Sequence, residues 1–435
     1  LACAFCGKDH SGGRLGLPPE GKQNGINRSF SQWGTFLVCI GRNPSSFRSL
    51  YTYQPVEKPI KQRSRILLLI PHLGGGGAEQ VIALLALGLS REKYELHLGL
   101  ITQADLGPET VPSWVHVHSL GATRVRAASF TLLKLVRRLK PDVILSGMFH
   151  LNFLVLLLRP LFPSGTCVLV RQNGTVSAAL AFGNLPPYTR LFYRLLYRFA
   201  DCLICQTPAM ARDLATELAV DGSRLTVLPN PLDLDEIRDE VARSPSLWTG
   251  SGPHLLAVGR FSREKGFDLL LRALVTVREQ FPDADLAIAG AGPEEAALKA
   301  ECRDLGIEAA VRLAGRVESP SAYFPGASAF VLPSRHEGLP NAMLEAAAGG
   351  LPIVALPASE GVVELLRGQP GAWVATEVSA GALASSLLKA LEALSPGQRF
   401  DHPFIDPFRM DRAICAYEGL IDAVLLGAKG KERRP

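Results

Sequence analysis

Cysteine is scarce. Eight residues among 435 are far too few for a disulfide-scaffolded protein. Charge is sparse as well: Asp, Glu, Lys and Arg make up 20% of the chain against 47% apolar residues, which excludes a wholly disordered or collagen-like polymer. Long apolar runs are missing. The run at 153–162 is interrupted by Arg159 and Pro160 and falls short of the roughly 18 residues that cross a bilayer. The first 30 residues also lack the continuous apolar core of a secretory signal. These absences predict a soluble, cytoplasmic protein. Its length, about three times that of a usual domain, predicts two large domains.

The small basic excess is localised. Net charge is +5, but residues 1–64 carry nine Lys or Arg against three acids, so the remaining 371 residues sum to −1. A nearly neutral body argues against a nucleic-acid partner. The segment 1–64 is rich in Gly, Ser, Pro and Asn without period, and is expected to be a mostly disordered basic leader. Its Cys3-Ala-Phe-Cys6 and His10 have the spacing of half a zinc site. The other half does not follow, so an incidental cysteine pair is the simpler reading.

From Arg65 short apolar runs recur at 66–70, 94–102, 115–120, 142–147, 167–173, 202–207 and 225–230. Stretches with helical spacing separate most of them, for example 78–90, 126–139, 187–200 and 208–219. The runs are continuously apolar, as in strands covered on both faces, and the alternation predicts a parallel, doubly wound α/β sheet over 65–230. Residues 231–253 read as a linker with a short charged helix. The alternation then restarts at 254–260 and continues through 284–290, 311–317, 329–334, 352–357 and 372–376, predicting a second such domain over 254–405. A last helical stretch, 406–426, is expected to cross back towards the first domain. Ligands of open α/β sheets bind beyond the carboxyl ends of the strands, so two facing sheets enclose a deep cleft, and the residues just after strands carry the chemistry.

Three such places stand out. After the first strand, Gly74-Gly75-Gly76-Gly77-Ala78-Glu79 opens a helix, and glycine lets backbone N–H donors approach an anion at a helix start. A plain turn is the alternative. In the second domain, Arg260 and Lys265 bracket a strand-to-helix turn, Gly259-Arg260-Phe261-Ser262-Arg263-Glu264-Lys265-Gly266. Cations there oppose the helix dipole, a conflict better explained by a diphosphate on which negative charge grows than by idle surface charge. Further on, Glu337-Gly338-Leu339-Pro340-Asn341 leads into a helix carrying Glu345 ahead of Ala-Ala-Ala-Gly-Gly. A carboxylate in such a buried small-residue helix needs a partner, and ribose or sugar hydroxyls are suitable donors. A further glycine turn, Ser359-Glu360-Gly361, lies at another strand-to-helix junction.

GGGGAE, GRFSREKGF, EGLPNAMLE and EGVVEL, in this order, resemble the retaining nucleotide-sugar glycosyltransferases of family 4, with the two facing Rossmann-like domains of the GT-B fold. LPNPLDL at 228–234 and AGAGPEE at 289–295 look like that family too. The resemblance covers about residues 65–395. It implies that Arg260 and Lys265 bind the donor diphosphate, Glu337 faces the donor sugar, Glu345 the ribose, and Gly76 and Gly77 lie near the phosphates and acceptor. Gly338 falls inside the same motif, and Gly361 matches a backbone contact to phosphate or sugar. By the same resemblance His150, in SGMFHLN, reaches the donor sugar; a structural histidine at a helix start is the alternative.

Two places depart from the family or mimic another. Arg171-Gln172-Asn173 stands where many relatives have His-Asn, and Arg171 could support an anionic acceptor or donor phosphate. Asp283-Ala284-Asp285 resembles a metal-binding DxD but precedes a strand, so no catalytic metal and no cofactor are expected. The stretch 187–200 puts Arg190, Arg194 and Arg198 on one helical face. It reads as a packed helix with a solvated Arg stripe, and alternatively as a peripheral membrane contact. The sequence therefore predicts a retaining, metal-independent hexosyltransferase. Its partners would be a nucleoside-diphosphate sugar, most plainly a UDP-sugar, and a glycan or lipid-linked glycan, as in polysaccharide or lipopolysaccharide synthesis. A nucleotide-sugar epimerase of the same plan and a two-lobed solute-binding protein are the alternatives.

Overall fold

The computed structural model describes residues 63–432 except Gly75, 103–110 and 182–188. The leader up to residue 62, with the Cys3/Cys6/His10 half-site, lies outside the described residues. The apolar runs form two sheets in which every strand pair is parallel. The first contains β1 (Ser64–Ile70), β2 (Tyr94–Leu100), β3 (His116–Ser119), β4 (Val143–Ser146), β5 (Cys167–Arg171), β6 (Cys202–Cys205) and β7 (Leu225–Val227), ordered 3-2-1-4-5-6-7. The second contains β8 (His254–Val258), β9 (Asp285–Ala289), β10 (Val311–Gly315), β11 (Ala329–Leu332), β12 (Ile353–Ala355) and β13 (Ala372–Val374), ordered 10-9-8-11-12-13.

Burial explains why these runs are continuous rather than alternating. Along β1, Ile66, Leu68 and Ile70 enter one core while Leu67 and Leu69 enter the core on the opposite face. In the second lobe Leu255 and Ala257 face one core and Leu256 the other. Both faces must be apolar, because helices cover both.

The first lobe carries α1 (Gly77–Gly88), α2 (Ser129–Leu139), α3 (Phe149–Leu158), α4 (Val176–Ala181), α5 (Thr189–Tyr197) and α6 (Pro208–Leu218). After it come α7 (Leu234–Arg243), α8 (Phe267–Gln280), α9 (Glu295–Asp304), α10 (Asn341–Ala348), α11 (Glu360–Leu366), α12 (Ala380–Ala393) and α13 (Met410–Glu432). Several starts are written locally. Thr207, Asp233, Ser359 and Ser379 each accept a bond from a backbone N–H two or three residues into the following helix, and Pro208 stands at the first position of α6. No helix among the described residues is long and apolar enough to cross a membrane. The apolar run at 153–162 is the latter part of α3 and the turn beyond it, with Val155 and Leu156 fully buried.

Residues 231–253 differ from the expected linker. Leu232, Leu234 and Trp248 are buried in the second lobe's core, Trp248 Nε1 donates to the Tyr323 carbonyl at 2.8 Å, and its ring stacks on His254. Their apolar bulk makes the segment part of that lobe. The long α13 lies on the first lobe instead. Tyr417 is fully buried there, Lys93 Nζ pairs with Glu418 at 2.6 Å, and Tyr94 donates to Asp422 at 2.7 Å.

Strand order reverses between β1 and β4 in the first lobe and between β8 and β11 in the second. Ligands of open α/β sheets bind at such switch points. The glycine loop and His150 follow β1 and β4; the Arg260–Lys265 turn and Glu337 follow β8 and β11.

Candidate active site between the two lobes

In the second lobe the two switch-point loops are tied into one unit. Lys265 Nζ pairs with Glu337 Oε1 at 2.6 Å, and Ser334 Oγ donates to the same oxygen at 2.6 Å. Behind them Arg335 makes a two-pronged bond to Asp268 in the first turn of α8, at 2.7 and 2.6 Å, and also reaches the Arg263 carbonyl. Burial opposes the charge on Asp268, but the Arg335 guanidinium overrides it and holds the carboxyl below its ordinary value. Gly266 takes a left-handed φ of +65° to start α8, pressed against the Pro333 carbonyl where no side chain fits. These contacts hold Lys265 and Glu337 together at the ends of β8 and β11.

Arg260 lies on the same turn, exposed, and its side chain makes no hydrogen bond or ion pair among the described residues. One cation is therefore matched by a carboxylate and the other is available to an anion. Glu345 sits in the second turn of α10, partly buried. Burial pushes its carboxyl above the ordinary value, and a bond from the Gln80 side chain of α1 only partly offsets that. This contact crosses from the second lobe to the first.

Other contacts show how closely the lobes meet. Asn341 Nδ2 donates to the Gly77 carbonyl at 2.9 Å, Arg316 to the Gly74 carbonyl at 3.0 Å, and Arg212 of α6 pairs with Glu360 and Glu364 of α11. A Cβ on Gly338 would lie 2.5 Å from the Asn173 carbonyl, and one on Gly361 2.8 Å from Thr207 Oγ1. A Cβ on Gly77 would lie 3.1 Å from the Asn341 side chain, a tight contact, and one on Gly76 would run into the Glu79 carboxylate. Three of the glycines expected at the ligand, Gly77, Gly338 and Gly361, thus stand where one lobe touches the other. We expect Gly338→Ala to prop the cleft open, since a backbone carbonyl cannot swing aside. Turnover should fall about a hundredfold, as for a misplacement of about 1 Å, with little change in thermal unfolding.

His150 is exposed in the first turn of α3 and makes no side-chain hydrogen bond or ion pair among the described residues. It flanks the first lobe's switch point, opposite the glycine loop. Arg171 is placed differently from the expectation that it meets an anion. It is 2% exposed, and its guanidinium donates to Asn173 and to Asn230 Oδ1, the latter at 2.5 Å. As the last residue of β5 it points inward at the chain crossing between lobes. Asn230 in turn donates to Asn341 Oδ1 at 2.6 Å, so a chain of bonds runs from Arg171 through Asn230 and Asn341 to Gly77. Sequence reasoning missed Gln80, Asn230 and Asn341 in this role. The last two stand inside quoted motifs, beside proline, which was the available signal. Asp285 pairs with His254 at 2.7 Å at the amino end of its strand, far along the sheet from these loops.

Two parallel-sheet lobes in contact, with the basic and acidic switch-point loops of the second lobe joined to each other, are the arrangement of a GT-B glycosyltransferase. Comparison with known families agrees lobe by lobe. Residues 75–236 match the model "Glycosyltransferase Family 4" and residues 252–393 the model "Glycosyl transferases group 1". The chain belongs to the group 1, family 4 glycosyltransferases. An uncharacterized glycosyltransferase of Haemophilus influenzae is 42% identical over 113 residues, spanning 26% of this chain and only 32% of that relative. The N-acetylgalactosamine-N,N'-diacetylbacillosaminyl-diphospho-undecaprenol 4-alpha-N-acetylgalactosaminyltransferase of Campylobacter jejuni is 26% identical, over 68% of this chain and 82% of its own. Among solved structures, a Rickettsia africae glycosyltransferase superposes with a TM-score of 0.66 at 13% identity, covering 83% of this chain and 99% of that one. Anabaena HepE in complex with UDP and glucose gives 0.63 at 16%, covering 86% and 100%.

Proposed function

We propose that the protein transfers a hexosyl unit from a UDP-sugar to a hydroxyl of a glycan or lipid-linked glycan, with retention of anomeric configuration. The observation that carries this is the joined pair of second-lobe loops, which set Lys265 and Glu337 2.6 Å apart beside the unpaired cation Arg260. A diphosphate laid across that turn meets two positive charges, Lys265 held by Glu337 and Arg260 without a protein partner among the described residues. Glu337, held by Lys265 and Ser334, then presents its remaining acceptor capacity to the donor sugar. Glu345 receives the ribose hydroxyls in place of Gln80, and His150 orients the sugar from the opposite lobe.

In the transfer, the acceptor oxygen bonds to the anomeric carbon from the face that the diphosphate leaves. The bond from that carbon to the phosphate oxygen breaks, and the acceptor's proton passes to the departing phosphate. No enzyme nucleophile takes part. Arg260 and Lys265 stabilise the growing negative charge, so the step needs no metal ion. Lobe contact through Gly338 and Gly361 excludes water from the donor. The choice of acceptor is supported by relatives named for undecaprenol-linked glycan transfer and for lipopolysaccharide core biosynthesis, and the choice of UDP by the UDP-bound neighbour.

The test is a thermal-shift series with UDP-, GDP- and ADP-sugars. At a hundred times its dissociation constant a true donor stabilises the fold by about 2.7 kcal/mol, and a UDP-sugar should do so. A response only to a GDP- or ADP-sugar overturns the choice of UDP, and a chain that responds to none of the three overturns the proposed reaction.

A further inference from the structure

The first lobe presents one face of unusual composition, made by α2, α3 and α5. Helix α3 packs against both others, and Phe153 of α3 meets Phe192 of α5 edge to face. Phe130 at the head of α2 is 76% exposed, Leu157 of α3 54% and Leu191 of α5 60%; Leu161, Phe192, Leu195 and Phe199 are also exposed. More than half of the exposed large apolar side chains of the described residues lie on this face. Soluble surfaces do not gather them without cause.

The charge of the same segments is equally one-sided. Residues 124–140, 149–161 and 189–200 hold ten Lys or Arg and no Asp or Glu, although the body of the chain is close to neutral. Arg190 is paired with Glu217 and Arg159 with Asp201, but Lys134, Arg138 and Arg194 have no carboxylate partner among the described residues. Along α5 and the turn that follows it, Arg190, Arg194 and Arg198 run in steps of four beside the parallel row Leu191, Leu195 and Phe199.

We propose that this face docks on an anionic lipid surface. Leu191, Leu195 and Phe199 enter the interfacial region, and Arg194 and Arg198 pair with lipid phosphates. Charge complementarity selects this occupant. A nucleic acid would meet the cations but leave the apolar side chains in water, and a second copy would set ten cations against ten. Because α3 carries His150 at its head and Leu157 towards its end, a docked lobe holds the acceptor side of the cleft near the membrane. That consequence rests on the proposed transfer to a lipid-linked glycan; the docking itself does not.

The test is co-sedimentation of the full chain with vesicles of equimolar phosphatidylglycerol and phosphatidylcholine, against vesicles of phosphatidylcholine alone. Binding should be at least about tenfold stronger to the anionic vesicles, since each Lys or Arg contributes roughly fivefold. Arg194→Glu/Arg198→Glu and Leu191→Ser/Leu195→Ser should each weaken it at least about tenfold. The basic leader is unaltered in both variants, so undiminished binding by them overturns the assignment to this face. Equal binding to both vesicle types, preference for duplex DNA, or self-association through the face overturns it as well. Both variants should keep the wild-type thermal shift with UDP. Lost vesicle binding with an intact UDP response supports docking by this face, and a wild type that binds vesicles but ignores every nucleotide sugar sinks only the proposed reaction.

Discussion

Replacing Lys265 with alanine is expected to lower turnover about 10²–10³-fold, the loss typical of removing one fixed donor from a developing oxyanion. The ammonium is held 2.6 Å from Glu337, on a turn braced by Arg335 and Asp268, a fixed position that the exposed Arg260, without a protein partner among the described residues, does not share. Some stability should be lost as well, because the Glu337 side chain is only 10% exposed and would be left without its cation, so turnover is compared well below the variant's unfolding temperature. A competing explanation would be that the orphaned Glu337 repels the diphosphate. The double variant Lys265→Ala/Glu337→Gln separates the two when read by UDP affinity, which the sugar contact of Glu337 does not enter: if repulsion were the cause, neutralising Glu337 would restore that affinity. We expect no recovery. Wild-type turnover in Lys265→Ala would remove the diphosphate role altogether.

Glu345 should govern nucleotide affinity and its pH dependence. Glu345→Gln is expected to weaken UDP binding about 10–100-fold, the worth of one charge-assisted bond at roughly 1.5–3 kcal/mol. In the structure, burial raises this carboxyl above its ordinary value, so the folded chain holds the proton to higher pH than the unfolded chain does. The stability linked to that proton is fully present below the unfolded value and is lost as pH rises through the raised one. Ribose hydroxyls donate to the ionised form and therefore oppose the shift. UDP should consequently bind more tightly as pH rises through the raised value, releasing a proton to buffer, and Glu345→Gln should abolish both effects. Calorimetry in buffers of different ionisation enthalpy reads the proton directly. A Glu345→Gln variant that binds UDP like the wild type would place the ribose elsewhere.

Much of this was legible along the chain. The strand runs, the restart at residue 254 and the placing of Arg260, Lys265 and Glu337 after strands all follow from apolar patterning and turn chemistry. These depend on neighbours a few residues apart, which a sequence displays directly. The direction of a side chain across a cleft does not. Arg171 reads as available to an anion, yet it turns inward to Asn173 and Asn230. Residues 231–253 read as a linker, yet Trp248 belongs to a core assembled from distant strands.

Local sequence thus determined two doubly wound sheets and the loops that end over them, because helices on both faces demand continuous apolar strands and sharp glycine-rich exits. Tertiary structure alone decided that Glu345 meets Gln80, that Asn341 bridges to Gly77, and that Gly338 and Gly361 serve the approach of one lobe to the other. Each joins residues more than 150 positions apart in the chain. Only the packing of one finished lobe against the other sets such contacts, and no periodicity within either lobe encodes them.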